Sequence, residues 1–311
     1  MEEEKLPRRS LRPEEIRTFN NGVVYAVSRF LNLAPDAIRI EDVKQIHRDC
    51  GVSMDYAYAL LLGGRLGMDT EGKDRDLFRN YFLPMIHYLD VDDYTANPYY
   101  RSIRIPEARD GRWELKTMEL KPAEGFVCRD FRVFPDGRLV PQIGFFDRPF
   151  PYPAVLENGR EWMTLLPNET VTTDPAVGKA HGHVLTFGLG LGYFVFSALR
   201  NPDVKDVTVV ELSPDVIRLF RTHILPQFPD PDRVHIIQSD AFSYLDRQMK
   251  PGMYDFVFAD IWHDVGDGKE LYLKMKTYED RYKGTVFTYW LEDSIRCYLD
   301  PGLWPDPPKE A

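Results

Sequence analysis

The chain has 311 residues, 43% of them hydrophobic, and a formal net charge of −10. That length exceeds the usual size of a single core, so two domains, or one large domain with a substantial extension, are expected. The negative field repels phosphate backbones, and the small basic cluster Arg8-Arg9 with Arg12 does not offset it, so nucleic acid is an unlikely partner and a small molecule or a protein is the better one.

In chain order, the N-terminus MEEEKLPRRSLRPEE lacks the apolar stretch of a signal peptide, and no later apolar run approaches the roughly 20 residues that span a bilayer. A soluble, cytoplasmic protein without membrane contact is expected. Residues 13 to about 90 read as helical, with apolar residues at three- and four-residue spacing, as in Val23, Val24, Val27, Phe30 and Leu31. Further helices are predicted over Ala37 to His47, Met54 to Leu66 and Asp76 to Leu89, with Ser53 as an N-cap. The aromatic residues here, Tyr56, Tyr58, Phe78, Tyr81, Phe82 and Tyr88, read as packing groups.

From Arg101 to Asp174 the texture changes to short β-branched and aromatic runs. Asp110-Gly111, Asp136-Gly137 and Asn158-Gly159 interrupt them as hairpin-turn pairs. Asn97-Pro98-Tyr99-Tyr100, just before, reads as a turn. Beyond His183 apolar strands alternate with helices. Strands are predicted at Val184 to Phe187, Val207 to Val210, Val234 to Ile237, Tyr254 to Ala259 and Thr285 to Tyr289; helices at Phe194 to Leu199, Pro214 to His223 and Ala241 to Arg247. Continuous apolar strands alternating with helices imply a parallel sheet covered on both faces. The expected fold is therefore α/β, a Rossmann-like, mostly parallel doubly wound sheet. The expected domains are a helical one over 1–100, a β-rich connecting segment over 101–174 and a cofactor-binding domain over 175–311.

In such a sheet, ligands bind beyond the carboxyl ends of the strands, so the residues standing there matter most. After the first strand comes the loop Phe187-Gly188-Leu189-Gly190-Leu191-Gly192, whose glycines let the backbone turn sharply and approach a ligand. Glu211 follows the second strand, 23 residues beyond Gly188, where a carboxylate can accept hydrogen bonds from both hydroxyls of a ribose. Asp240 ends the third strand and Asp260 the fourth. Asp240 also has the position of a cap for the helix beginning at Ala241. A nicotinamide dinucleotide site would carry Gly-x-Gly-x-x-Gly, but Tyr193 or Val195 stands where its last glycine belongs. S-adenosylmethionine is thus the favoured cofactor.

The stretches Val184-Leu-Thr-Phe-Gly-Leu-Gly-Leu-Gly192, Val209-Val-Glu-Leu-Ser-Pro-Asp-Val-Ile217, Gln238-Ser-Asp-Ala241 and Tyr254-Asp-Phe-Val-Phe-Ala-Asp260 resemble the core of class I S-adenosylmethionine-dependent methyltransferases. Within them the resemblance is greatest to the spermidine-synthase-like branch. It implies that the glycine loop wraps the methionine part, that Glu211 holds the ribose and that Asp240-Ala241 addresses the adenine. The cofactor-contacting set expected is Phe187, Gly188, Leu189, Gly190, Gly192, Tyr193, Glu211, Leu212, Asp240, Ala241 and Asp260. Aminopropyltransferases of this branch have an acid inside the glycine loop and an Asp-Pro-containing loop after the fourth strand. Here Leu191 and Ile261-Trp-His-Asp264 stand in those places, which favours methyl transfer over polyamine synthesis.

Methyl transfer from a sulfonium asks the protein mainly to position the nucleophile and exclude water, with a base where the nucleophile must lose a proton. Asp260 is the first candidate for binding or deprotonating the acceptor, followed by His263 and Asp264; Trp262 either walls the pocket or packs. His263 also reads as a surface histidine, and Asp264 and Asp267 as turn formers. The acceptor is left open between a small molecule and a protein, and the assembly is left open as well, a homodimer being one candidate. No metal is expected: Cys50, Cys128 and Cys297 lie far apart without a Cys-x-x-Cys pair, although Asp260 with Glu292 and Asp293 offers a magnesium alternative. A cofactor-binding scaffold without catalysis is the non-enzymatic alternative.

Overall fold

The computed structural model describes residues 12–263, 265–297 and 299. It divides the chain into two compact units that interleave in sequence. Of the described residues, one holds 12–89 together with 121–149, the other 90–120 together with those from 150 onward. The expected boundaries near 100 and 174 therefore differ from the observed ones, and the β-rich stretch is shared between the units.

In the first unit the helices Pro13–Leu33, Ile40–Cys50 and Met54–Arg65 form as the apolar spacing dictates. Ser53 caps the third by accepting from the Tyr56 N–H at 3.1 Å. The helix expected over 76–89 is not continuous. A helical turn at Arg75–Leu77 and a π-turn at Phe78–Phe82 lead into Leu83–Met85, where Pro84 offers no N–H to a helix, and strand β1 follows at Ile86–Leu89. β1 pairs in parallel with Leu139–Phe146, residue 86 against 143, so long-range pairing overrides the local helical periodicity. Val43, Tyr58, Leu62, Phe78, Ile143 and Phe145 are fully buried in this unit's core.

In chain order the remaining strands are β2 Ala108–Asp110, β3 Trp113–Leu120, β4 Phe126–Val133, β5 Leu139–Phe146, β6 Phe150–Glu157 and β7 Arg160–Thr164. They are followed by β8 Gly182–Phe187, β9 Val204–Glu211, β10 Val234–Gln238, β11 Phe256–Ala259 and β12 Val286–Tyr289. β1, β5 and β4 make the first unit's sheet. In the second unit β2-β3-β6-β7 is an antiparallel sheet and β10-β9-β8-β11-β12 a parallel one. The predicted turn glycines all adopt positive φ: 58° at Gly111, 84° at Gly137 and 77° at Gly159. Among the described residues the parallel sheet ends at β12, and the strands of 108–164 build sheets of their own rather than completing it.

The chain runs outward from β8 through β9 to β10, then crosses back to β11 beside β8 and on to β12. The carboxyl ends of β8 and β11 thus flank the point where connections diverge to opposite sides, the usual location of a ligand crevice. Val184–Phe187, Val207–Val210 and all of β11 are buried, as strands covered on both faces require. Gly192, with φ 76°, opens the helix Tyr193–Leu199, and a Cβ there would lie 2.4 Å from the Phe220 ring. Gly192→Ala is therefore expected to cost at least about 1–3 kcal/mol, from the positive φ together with overpacking. Thermal unfolding measures it; an unchanged Tm would contradict this account of the loop.

Candidate active site

The carboxyl ends of the parallel strands open into a cavity of roughly 870 Å³, within the size range of small-molecule sites. Gly188, Leu189 and Gly190 reach it from the loop after β8, Glu211 and Leu212 from the end of β9, Asp240 and Ala241 from β10, and Asp260 to His263 from β11. Trp162, Met163 and Thr164 of β7 and Arg112 and Trp113 at the start of β3 line it as well, as do Asn168, Glu169 and Trp290.

Glu211 is the organising carboxylate at the β9 end of the cavity. One of its oxygens accepts from the Leu189 N–H at 3.1 Å, the other from the Ser213 N–H at 2.8 Å. Burial raises its pKa above the ordinary glutamate value, while the N–H groups of Ser213, Leu189 and Leu212 pull the other way. Each carboxylate oxygen retains a lone pair beyond the one used, so two further donors can be accepted. Asp240 combines both roles that its position suggested: it caps the helix Ala241–Arg247 by accepting from the Ser243 N–H at 2.8 Å, and it lines the cavity.

The glycines earn their places by a route different from the one expected. Gly188, with φ 94°, packs so closely that a Cβ would lie 2.0 Å from the Asp260 carbonyl oxygen, and Gly190 would place one 2.3 Å from Met163 Sδ. The loop is thus pressed between the β11 end and the β7 strand, and the Asp260 N–H donates to Phe187 O at 2.9 Å. Phe187, Gly192 and Tyr193 do not line the cavity. Phe187 is fully buried, and Tyr193 donates to Asp174 at 2.7 Å and accepts from Asn97 Nδ2 at 3.0 Å behind the loop. Asn97 also caps the short helix Pro98–Ser102, so the Asn-Pro-Tyr-Tyr turn supports the loop from outside the cavity.

At the other end Asp260 and Glu169 line the cavity together; Glu169 stands in the first turn of the helix Pro167–Lys179 with 8% of its surface exposed. Desolvation raises the Asp260 pKa to about 7. Burial, and after it the Asp260 charge, pushes Glu169 well above the ordinary glutamate range. Two carboxyls in one desolvated place disfavour each other's ionisation, in line with the upward shifts. Sequence reasoning missed Glu169, because an acid in a first helical turn is ordinary on dipole grounds.

His263 lies exposed at the rim, its ring 5.7 Å from Trp162 and its Nε2 3.2 Å from Glu161 O; its backbone N–H meets the Asp267 carboxylate. Asp264 lies outside the described residues. Glu292 accepts from the Tyr272 hydroxyl at 2.7 Å and Asp293 is exposed; neither lines the cavity with Asp260, and among the described residues no cluster of metal-ligating side chains occurs. No described helix is long and apolar enough to cross a membrane.

The parallel order β10-β9-β8-β11-β12, the glycine loop and the acid at the end of β9 define a Rossmann-like α/β domain with its cavity at the strand ends. Residues 168–284 match the family described as the Spermine/spermidine synthase domain. Putrescine N-methyltransferase 1 of Nicotiana tabacum is 30% identical over 92 residues, covering 29% of this chain and 24% of that protein. A polyamine aminopropyltransferase of Mycobacterium tuberculosis is 35% identical over 91 residues, covering 28% and 17%. The chain thus spans about a quarter or less of the length of these curated relatives. An O-methyltransferase from Bacillus cereus, solved in complex with SAH, superposes with a TM-score of 0.30 at 19% identity over 38% of this chain and 53% of that one.

Proposed function

We propose that the protein is an S-adenosylmethionine-dependent methyltransferase acting on a small-molecule acceptor. The observation that carries this reading is Glu211: a half-buried carboxylate, tied by the Leu189 N–H to the glycine loop and open to the cavity, stands where the ribose of a nucleoside would lie. The donor set fits the cofactor. Glu211 supplies acceptors for two hydroxyls, Asp240 with the Ala241 backbone an edge for adenine, and Gly188 to Gly190 an open backbone beside the methionine part. The relative named putrescine N-methyltransferase supports methyl transfer within this branch. Leu191 in the glycine loop and Ile261-Trp262-His263 after β11, in place of the acid and the Asp-Pro loop of aminopropyltransferases, support it too.

Bound S-adenosylmethionine supplies a methyl group already activated on a sulfonium. The protein's share is to exclude water, to hold the acceptor in line, and to receive a proton where the acceptor carries one. Asp260, at the β11 end beside the glycine loop, is the group placed to hold the acceptor, with Glu169 lining the same cavity.

Calorimetric titration with S-adenosylmethionine, S-adenosylhomocysteine, decarboxylated S-adenosylmethionine and NAD tests the reading. Binding of the first two and none of NAD is expected. NAD binding would overturn the cofactor assignment, and preference for the decarboxylated form with polyamine turnover would replace methyl by aminopropyl transfer.

A further inference from the structure

The sheet order assigns the two ends of the cavity different tasks. If the nucleoside occupies the β10 and β9 ends, as in the proposed function on which this inference rests, the acceptor is left with the β11 and β12 ends. That end is walled by Ile261, Trp262, Leu271 and Trp290, and its carboxylates are the buried Glu169 and the half-buried Asp260. Trp262 and Trp290 are 4% and 6% exposed, and the Trp290 indole is fixed by donating to Thr172 Oγ1 at 2.9 Å.

We propose that the acceptor is a monoamine with an apolar, ring-sized body, its single ammonium held between Glu169 and Asp260 and its body against Trp262 and Trp290, rather than a linear diamine.

The charge balance carries the argument. Among the described lining residues Arg112 is the single Lys or Arg, and it is paired with Glu157 at 2.8 Å. No fixed cation therefore neutralises the Glu169–Asp260 pair, and a cationic ligand can. Both carboxyls line the same cavity, so a single ammonium can meet the two together. The other lining acids are placed elsewhere: Glu211 and Asp240 on the nucleoside side, Asp215 against Arg218, Glu157 against Arg112. Glu161, the remaining one, is exposed at the rim and accepts from the Tyr152 hydroxyl. A second ammonium would thus find no second desolvated carboxylate, while indole walls favour both apolar surface and a cation. His263, the other titratable group near this end, sits at the rim against Trp162 and the Glu161 carbonyl.

In the reaction the bound ammonium first gives one proton to the carboxyl pair, which frees the nitrogen lone pair. The amine nitrogen then bonds to the methyl carbon as the carbon–sulfur bond breaks. The sulfonium charge passes to the methylated ammonium, and S-adenosylhomocysteine leaves as a neutral thioether.

The test is calorimetry on the full chain saturated with S-adenosylhomocysteine, using phenethylamine, putrescine and 2-phenylethanol as probes, with Glu169→Gln as the variant. Phenethylamine is expected to bind at least about tenfold more tightly than either other probe, and Glu169→Gln to lower its affinity by about tenfold or more. S-adenosylhomocysteine affinity should stay within about twofold in that variant, since Glu169 lies at the acceptor end. Putrescine binding as tightly as phenethylamine, 2-phenylethanol matching it, no probe binding, or an unchanged affinity in a folded Glu169→Gln would each overturn the proposal. The comparison of probes on the wild-type protein decides it even if the variant does not fold. Failure of S-adenosylhomocysteine itself to bind would overturn the cofactor reading and this one with it.

Discussion

Glu211→Ala is expected to weaken S-adenosylhomocysteine binding by about 1–3 kcal/mol, roughly tenfold to a hundredfold, in calorimetric titration. Two losses combine in that figure. The ribose hydroxyls lose a charged acceptor, and the Leu189 and Ser213 N–H groups lose the carboxylate that ties the glycine loop to the end of β9. Glu211→Gln separates them: it keeps the shape, but its amide NH2 points at one of the two N–H donors, so the loop is disturbed with little change in volume. Because burial raises the Glu211 pKa, the charged form needed for binding is lost at a higher pH than for an ordinary glutamate. Wild-type affinity should accordingly fall on acidification through that shifted value, and the Ala variant should lose this dependence. Equal affinities in wild type and Glu211→Ala would remove Glu211 from the cofactor site.

The strand-end residues of this cavity were legible in sequence because their physics is local. An apolar run ending in Gly188, Glu211, Asp240 or Asp260 marks a strand and its carboxyl end at once, and in a parallel sheet all such ends share one edge. Even there the reason for the glycines was only partly readable. The sequence suggests room for a ligand, whereas Asp260 O, Met163 and Phe220 fill the positions where the Cβ atoms would stand. The rest of the lining was mostly illegible: Glu169, Trp162, Met163 and Trp290 come from a helix start, a hairpin strand and a post-strand turn, whose approach to the cavity is set by packing across more than a hundred residues of chain. The interleaved units escaped for the same reason. β4 and β5 read as the same short β-branched and aromatic runs as β3 and β6, and only the pairing of β5 with β1 sends them to the other unit.

Asp260→Asn separates activity from stability at one atom. The side chain keeps its size and loses the ability to hold or take a proton, so methyl transfer to a protonated acceptor is expected to fall by about 10²–10⁴-fold at pH 8. In the wild type, kcat/KM should rise with pH up to the region of about 7 to which desolvation lifts the Asp260 carboxyl. Stability should move in the opposite sense. Folded Asp260 keeps its proton up to about 7, whereas the unfolded chain releases it near 3.8. Between those values the native state binds the extra proton, so this group's contribution to stability declines as pH rises through the window and is gone above it. Asparagine carries no such slope, and it also relieves Glu169 of a like-charged neighbour, which lets the Glu169 pKa come down. At pH 8 the variant should therefore be more stable than the wild type, by about 1–3 kcal/mol, with the difference shrinking toward pH 4. Thermal unfolding at pH 4, 6 and 8 beside single-turnover methyl transfer reads both effects. An inactive variant that is also less stable at pH 8 would mean that Asp260 holds the β11 loop together through its side chain, and that its burial serves the fold rather than the reaction.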